Sequence, residues 1–250
     1  MQYFHERHEH AKLLIFFNGW GMNEHPFRAL KLDTCDMLMF YDYRTAELPA
    51  CCLDIFSKYQ QFELFAWSFG VFFASFLRRS LPPTQRAIAC AGTLWPLDRT
   101  RGIPPRIFDR TLRQAECAVV GTFYERMFTS VTDYQNYLNH PVTRSVAERV
   151  EELHAVSSHL THPLFAESIV SDGVRTAPWS DYDVAIIPDA DKIFPPDNQM
   201  RSWEYVQEKH PSLEIVKLQN VGHFPFDWFS RWSEIMNISA HEHFRPRSDS

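Results

Sequence analysis

Lys12–Phe17 is a continuous apolar run closed by Asn18-Gly19-Trp20-Gly21, the pattern of a strand buried on both faces that ends in a tight loop. Similar runs follow at Asp36–Tyr41, at residues 62–67 and at residues 86–91, the last two stopping at Ser68 and Gly92. Residues 71–79 read as an apolar helix, and other segments between the runs are long enough for short helices. Strands alternating with helices predict a mostly parallel sheet. The pattern changes after Gly92. Residues 93–168 lack strand-like runs and show helical stretches at 105–120 and 144–160, the reading expected of a helical cap inserted into the sheet domain. Strand character returns at 182–187 and 213–218, residues 226–238 carry apolar positions at helical spacing, and the polar segment from Ser239 is expected to be loose. Residues 1–92 and 169–250 are thus expected to form the core and 93–168 the cap.

With 250 residues, 45% of them hydrophobic, the chain can bury one sizeable core carrying an insertion. A net charge of −6 argues against a nucleic-acid binder, so an acidic partner must meet a local basic patch. The five cysteines are scattered and form no Cys-x-x-Cys pair, which reads as reduced thiols in a cytoplasmic protein. The first ten residues are rich in His and Glu and lead into a short apolar run, neither a signal peptide nor a membrane span. His5, Glu6, His8 and His10, with His241, Glu242 and His243, are the candidate metal ligands. Neither group has His-Glu-x-x-His spacing and both fall in expected mobile tails, so no metal is expected.

Ala66-Trp67-Ser68-Phe69-Gly70 lies between a predicted strand and a predicted helix, the context in which such a turn projects a serine oxygen above a sheet. On the motif alone, a helix N-cap serine is an equal reading. A nucleophilic serine needs a base, and the base needs a group that holds its tautomer. In the α/β-hydrolase fold these follow in the order serine, acid, histidine. His223 follows the last predicted strand, where that base belongs. The loop at 187–195 carries both Asp189 and Asp191. Asp191 is preferred because its spacing to Ile193 and Pro195 matches the D-x-x-x-P turn that commonly follows the acid strand; Asp189, after a proline, reads as a turn former and stays open as the alternative. Asp183 falls at the other end of its strand. Two amides are needed for the tetrahedral intermediate, and the fold assigns them to Phe69 and Trp20, the latter in a loop kept tight by Gly19 and Gly21. Such a mechanism uses no cofactor.

These residues resemble the pimeloyl-[acyl-carrier-protein] methyl ester esterases of biotin synthesis. The matching stretches are Phe17-Asn18-Gly19-Trp20-Gly21, Tyr41-Asp42-Tyr43-Arg44, Ala66-Trp67-Ser68-Phe69-Gly70-Val71, Gly102-Ile103-Pro104-Pro105, Asp191-Lys192-Ile193-Phe194 with Asn198-Gln199, and Gly222-His223-Phe224. The resemblance implies the triad Ser68, Asp191 and His223, with the amides of Trp20 and Phe69 at the oxyanion. It also implies hydrolysis of a pimeloyl methyl ester carried on acyl carrier protein, yielding methanol and a free carboxylate. The sequence departs from the family at Gly92-Thr93-Leu94-Trp95-Pro96, where the bulky Leu94-Trp95 pair is expected to reshape the pocket.

Arg99, Arg101, Arg106, Arg110 and Arg113 cluster at the start of the cap, the last three at i, i+4 and i+7 on one face of a predicted helix. Guanidinium groups suit the carboxylates and the phosphopantetheine phosphate of an acyl carrier protein. A solvated face with Asp98, Asp109 and Glu116 as local partners is the competing reading. Among the cap's large side chains, Phe108, Phe123, Tyr124, Met127, Phe128, Tyr134 and Tyr137 either fill a core or line an apolar channel; Phe123 and Phe128 are taken as lining it. Beside the methyl esterase stand two other readings, the same triad acting on another short ester or thioester and a hydrolase-like scaffold that only binds a partner.

Overall fold

The apolar runs become the parallel strands of one sheet. A computed structural model describes residues 1–117, 121, 123–161 and 182–239. Its strands are β1 (Gln2–Glu6), β2 (Lys12–Phe17), β3 (Asp36–Tyr41), β4 (Gln61–Trp67), β5 (Arg86–Cys90), β6 (Val184–Pro188) and β7 (Glu214–Leu218). They lie in the order β1-β3-β2-β4-β5-β6-β7, with β1 antiparallel to β3 and every other pair parallel. Leu13, Leu14, Ile15, Phe16 and Phe17 of β2 are fully buried, as expected of a central strand covered on both faces.

Chain order fixes where a ligand can sit. From β2 the chain crosses to β3 on one side, then returns across β2 to place β4 on the other. The connections after β2 and β4 therefore diverge, and in an open parallel sheet such a switch leaves a crevice at the carboxyl ends of the strands. The glycine loop after Phe17 and the serine after Trp67 both open into it.

Two short helices flank the first half, α1 (Cys52–Phe56) and α2 (Phe69–Phe76). Every residue of α2 from Phe69 to Ser75 is buried, which its nearly unbroken apolar sequence demands. Between β5 and β6 lie α3 (Pro105–Arg113), α4 (Ala115–Cys117), α5 (Phe123–Glu125), α6 (Val131–Tyr137) and α7 (Val146–Thr161). The expected helix at 105–120 is interrupted at Gln114, whose backbone (φ −113°, ψ 27°) leaves the helical region. The expected cap boundary at 168, like His241, Glu242 and His243, lies outside the described residues. After β6 come α8 (Pro196–Lys209) and, beyond β7, α9 (Trp232–Met236).

Two expectations need correction. The His-rich N-terminal segment is not a mobile tail: β1 pairs along β3 from Gln2 opposite Tyr41 to Glu6 opposite Met37. The turn after it is held by the buried Asp36 carboxylate, which accepts from the amides of His8 and His10 at 2.9 and 3.1 Å and from the Tyr59 hydroxyl at 2.7 Å. His5 Nε2 lies 2.9 Å from that hydroxyl, and His8 pairs with Glu6. Among the described residues no group of three or more metal-ligating side chains is assembled. Residues 226–238 are likewise not one helix. The chain makes a 3-10 turn at Phe226–Trp228, then extends to pair with Lys31 before α9, with Lys31 N–H donating to Ser230 O and Trp232 N–H to Lys31 O, both at 3.0 Å. No helix among the described residues is long and apolar enough to cross a membrane.

Candidate active site

β4 ends at Trp67 and α2 begins at Phe69, so Ser68 alone turns the chain. Its backbone (φ 59°, ψ −128°) lies in a region that side-chain-bearing residues rarely adopt, at a cost of about 1–3 kcal/mol. The surroundings hold it there. Ser68 N–H donates to Cys90 O at 2.9 Å, and the glycines on either side let the backbone close in. A Cβ on Gly70 would lie 2.2 Å from Phe17 O, and one on Gly92 would lie 2.3 Å from Ser68 O. Neither clash can be relieved by moving a side chain, so these positions admit only glycine without shifting α2 off the sheet.

His223 leaves the loop after β7 and reaches Ser68 Oγ with Nε2 at 3.0 Å, while its Nδ1 lies 2.8 Å from Asp191 Oδ2. Asp191 is exposed by only 4% and His223 by 1%, so the pair is shielded from water. The Asp191 carboxylate is fixed in turn. Its Oδ1 accepts from the amides of Ile193 and Phe194 at 2.7 and 2.9 Å, and its Oδ2 accepts from Gln199 Nε2 at 3.0 Å. Asp189, the alternative acid, is exposed and accepts from Asn220 N–H at 2.6 Å, a turn contact away from His223. Asp183 accepts from Ala87 N–H at the opposite end of β6. The imidazole packs near Trp67 and lies parallel to the Phe194 ring, with ring centroids 5.2 and 6.0 Å away, and Trp67 Nε1 donates to His223 O at 2.8 Å.

Above the serine lies a cavity of about 530 Å³ including its open mouth. Ser68, His223, Trp20 and Phe69 border its floor, and Ile103, Ile107, Phe108, Phe123, Met127, Leu153 and Ile193 supply apolar walls. Its apolar lining suits an acyl chain. Phe123 is both wall and support, packing edge-on against Trp20 at 4.8 Å. Phe128 is a correction: it lies behind the histidine loop, packed on Phe224 and Tyr137, and does not line the cavity. Leu94 and Trp95 do not line it either. Trp95 instead meets Tyr205 of α8 edge-on and carries the Arg101 guanidinium 4.3 Å above its ring, so Arg101 is taken up by stacking. Arg99, Arg106, Arg110 and Arg113 are exposed and, among the described residues, form no ion pair, Asp109 and Glu116 included.

Residue patterns alone did not point to three contributors: the Trp67 and Gln199 contacts, which appeared only inside matching stretches, and Arg126, which borders the cavity mouth and donates to Lys192 O at 2.7 Å. A lone arginine between Glu125 and Met127 carries no signal of that position.

The parallel sheet, the strained serine turn at the switch point and the buried histidine–carboxylate pair define the class: this is an α/β-hydrolase fold. The chain belongs to the family described as pimeloyl-ACP methyl esterase BioG, which it matches over residues 1–235. It is similar to the crystal structure of BioG from Haemophilus influenzae, with a TM-score of 0.78 at 25% identity over 95% of this chain and 100% of that one. An esterase from Exiguobacterium antarcticum shares the fold, with a TM-score of 0.58 at 14% identity over 90% of this chain and 88% of that one. A curated relative, the malonyl-[acyl-carrier protein] O-methyltransferase of Bacteroides fragilis (strain 638R), is 38% identical over 192 residues, 76% of this chain. The chain spans only 36% of that protein's length.

Proposed function

We propose that this protein is a serine esterase that hydrolyses the methyl ester of pimeloyl-[acyl-carrier protein], freeing the distal carboxylate and methanol for biotin synthesis. The observation that carries the reading is the line Ser68 Oγ–His223–Asp191, at 3.0 and 2.8 Å, beneath an apolar cavity in a chain of this family.

In this mechanism Ser68 Oγ attacks the ester carbonyl as His223 Nε2 takes its proton, and the C=O π pair moves onto oxygen. Amides of Trp20 and Phe69 stabilise that oxyanion. Collapse expels methoxide, which leaves as methanol with the proton from His223. Water, activated by the same imidazole, then releases the acid from Ser68. Asp191 fixes the tautomer and stabilises the imidazolium. The walls suit turnover, because a neutral methyl ester enters an apolar cavity readily while the desolvation cost of the carboxylate product aids its release.

Residues 93–168 act in this reading as a cap that shapes the cavity, and Arg99, Arg106, Arg110 and Arg113 form a basic face for the acidic carrier protein and its phosphopantetheine phosphate. All five cysteines are unpaired, which fits a reducing cytoplasm. The methyltransferase relative does not redirect the reading, since this chain matches about a third of it and its own site geometry serves acyl transfer to water. The test is a single conjugate bearing both bonds. On pimeloyl-[acyl-carrier protein] methyl ester, methanol release with the thioester intact is expected; cleavage of the thioester instead assigns the site to another substrate.

A further inference from the structure

The loop that carries the Trp20 amide is bound on its far side by the helical segment between β5 and β6. Glu152 of α7, fully buried, accepts from Gly21 N–H through Oε2 at 3.1 Å and from Tyr43 N–H through Oε1 at 3.0 Å. One carboxylate therefore ties together the loops that leave the adjacent strands β2 and β3. Arg144 ion-pairs with the same carboxylate, lies 3.2 Å from Asp42, and donates to Met22 O at 3.3 Å. Three more bonds complete the cradle: Trp20 Nε1 donates to Arg149 O at 2.8 Å, Tyr43 Oη to Asn18 O at 2.6 Å, and Gly19 N–H to Asn18 Oδ1 at 2.7 Å. Among the described residues the Trp20 amide itself meets no acceptor.

This is an unfavourable place for a charge. Burial pushes the Glu152 carboxyl above its ordinary range, against the pull of Arg144. An apolar side chain would pack α7 without that cost, yet it would strand two buried amides. What a carboxylate provides here is two acceptors at a fixed separation, one on each loop.

We propose that Glu152 is a positioning residue for the oxyanion: held by Arg144, it fixes Gly21 and thereby aims the neighbouring Trp20 amide at the point where negative charge develops above Ser68. The inference rests on the serine-esterase reading. Because the contact acts on charge that exists only after attack, it bears on the transition state and leaves ground-state binding of the ester alone.

Glu152→Gln keeps the side chain's size but offers one acceptor oxygen in place of two. The intact protein is assayed on a short-chain methyl ester, and two inhibitors of matched chain length are titrated. One is a trifluoromethyl ketone, to which Ser68 Oγ adds as an oxyanion hemiketal with its proton passing to His223; the other is the plain methyl ketone, which binds without addition. The expected result is a fall in kcat of about tenfold to a hundredfold with KM within about twofold. The trifluoromethyl ketone weakens by the same factor as kcat, and the methyl ketone is unchanged. Glu152→Asp, which keeps the charge and withdraws the carboxylate by one methylene, is the second variant should the first fail to fold, and the same split is expected of it. Unchanged kcat, or equal weakening of both ketones, overturns the positioning role. Ser68→Ala measured in parallel separates the two ideas: activity surviving there removes the esterase reading, whereas its loss beside a fully active Glu152→Gln removes only this inference.

Discussion

Asp191 and Asp189 are two residues apart on one loop and differ in everything that matters to an acid. Asp191 is buried, accepts two backbone amides and faces His223, while Asp189 is exposed and caps a turn at Asn220. Asp191→Asn is expected to lower kcat by about 10³- to 10⁴-fold by inverting the hydrogen-bond polarity at Nδ1, and Asp189→Asn to leave it within about threefold. Steady-state rates of the two variants on one ester check this. Thiol reactivity follows from burial in the same way: burial pushes the Cys35 and Cys52 thiols up to about 12 and Cys90 well above its ordinary value, while Cys117 is exposed. At pH 8 an alkylating reagent is expected to modify Cys117 ahead of these three without loss of activity, as read by peptide mass spectrometry. Ser68 and His223 were legible in the sequence because each ends or follows an apolar strand, whereas Asp191 shared its strand end with Asp189 and was preferred only on its spacing to Pro195. Glu152 was not legible: it sits among Glu148, Arg149 and Glu151, a pattern that reads as a solvated helix face until tertiary packing buries it.

At the scale of elements, β2 to β6 were legible because burial on both faces demands a largely apolar run, and the run's ends gave the functional loops; β7, at the far edge, alternates instead, with Val216 and Leu218 buried and Lys217 exposed. β1 was not legible. As an edge strand it is at most half-buried and carries Gln2, His5 and Glu6, so its place depends on backbone pairing and on Asp36, which no periodicity reveals. Burial opposes the charge on Asp36, but the hydrogen bonds from Tyr59, His8 and His10 prevail and hold its carboxyl below its ordinary range. A depressed carboxyl contributes stability that is present above the unfolded value near pH 4 and lost as pH falls through the lower folded value. Asp36→Ala is therefore expected to cost about 1–3 kcal/mol at neutral pH and to flatten the acid limb of stability, as read by urea unfolding against pH. Because Asp36 lies at the start of β3, away from the crevice, kcat of the folded variant is expected to stay unchanged.

For the whole molecule, a net charge of −6 sets a condition on any acidic partner: general repulsion must be overcome by a local face. Arg106 and Arg110 on α3, with Arg113 at its end, are exposed beside a cavity walled by Ile107, Phe108 and Thr111 of the same helix, so in the proposed function one short element would serve both docking and substrate entry. Arg106→Glu with Arg110→Glu is expected to raise KM for the carrier-bound ester at least about tenfold at low salt, with a free short-chain methyl ester unaffected. Equal loss on both substrates would assign those arginines to the fold. In the proposed reaction Ser68 opens a methyl ester on a carrier-bound acyl chain. This step is tested most directly by quantifying methanol released from pimeloyl-[acyl-carrier protein] methyl ester by the wild-type protein and by Ser68→Ala. Turnover by the first and none above background by the second are expected; equal release by both would rule out Ser68 as the nucleophile.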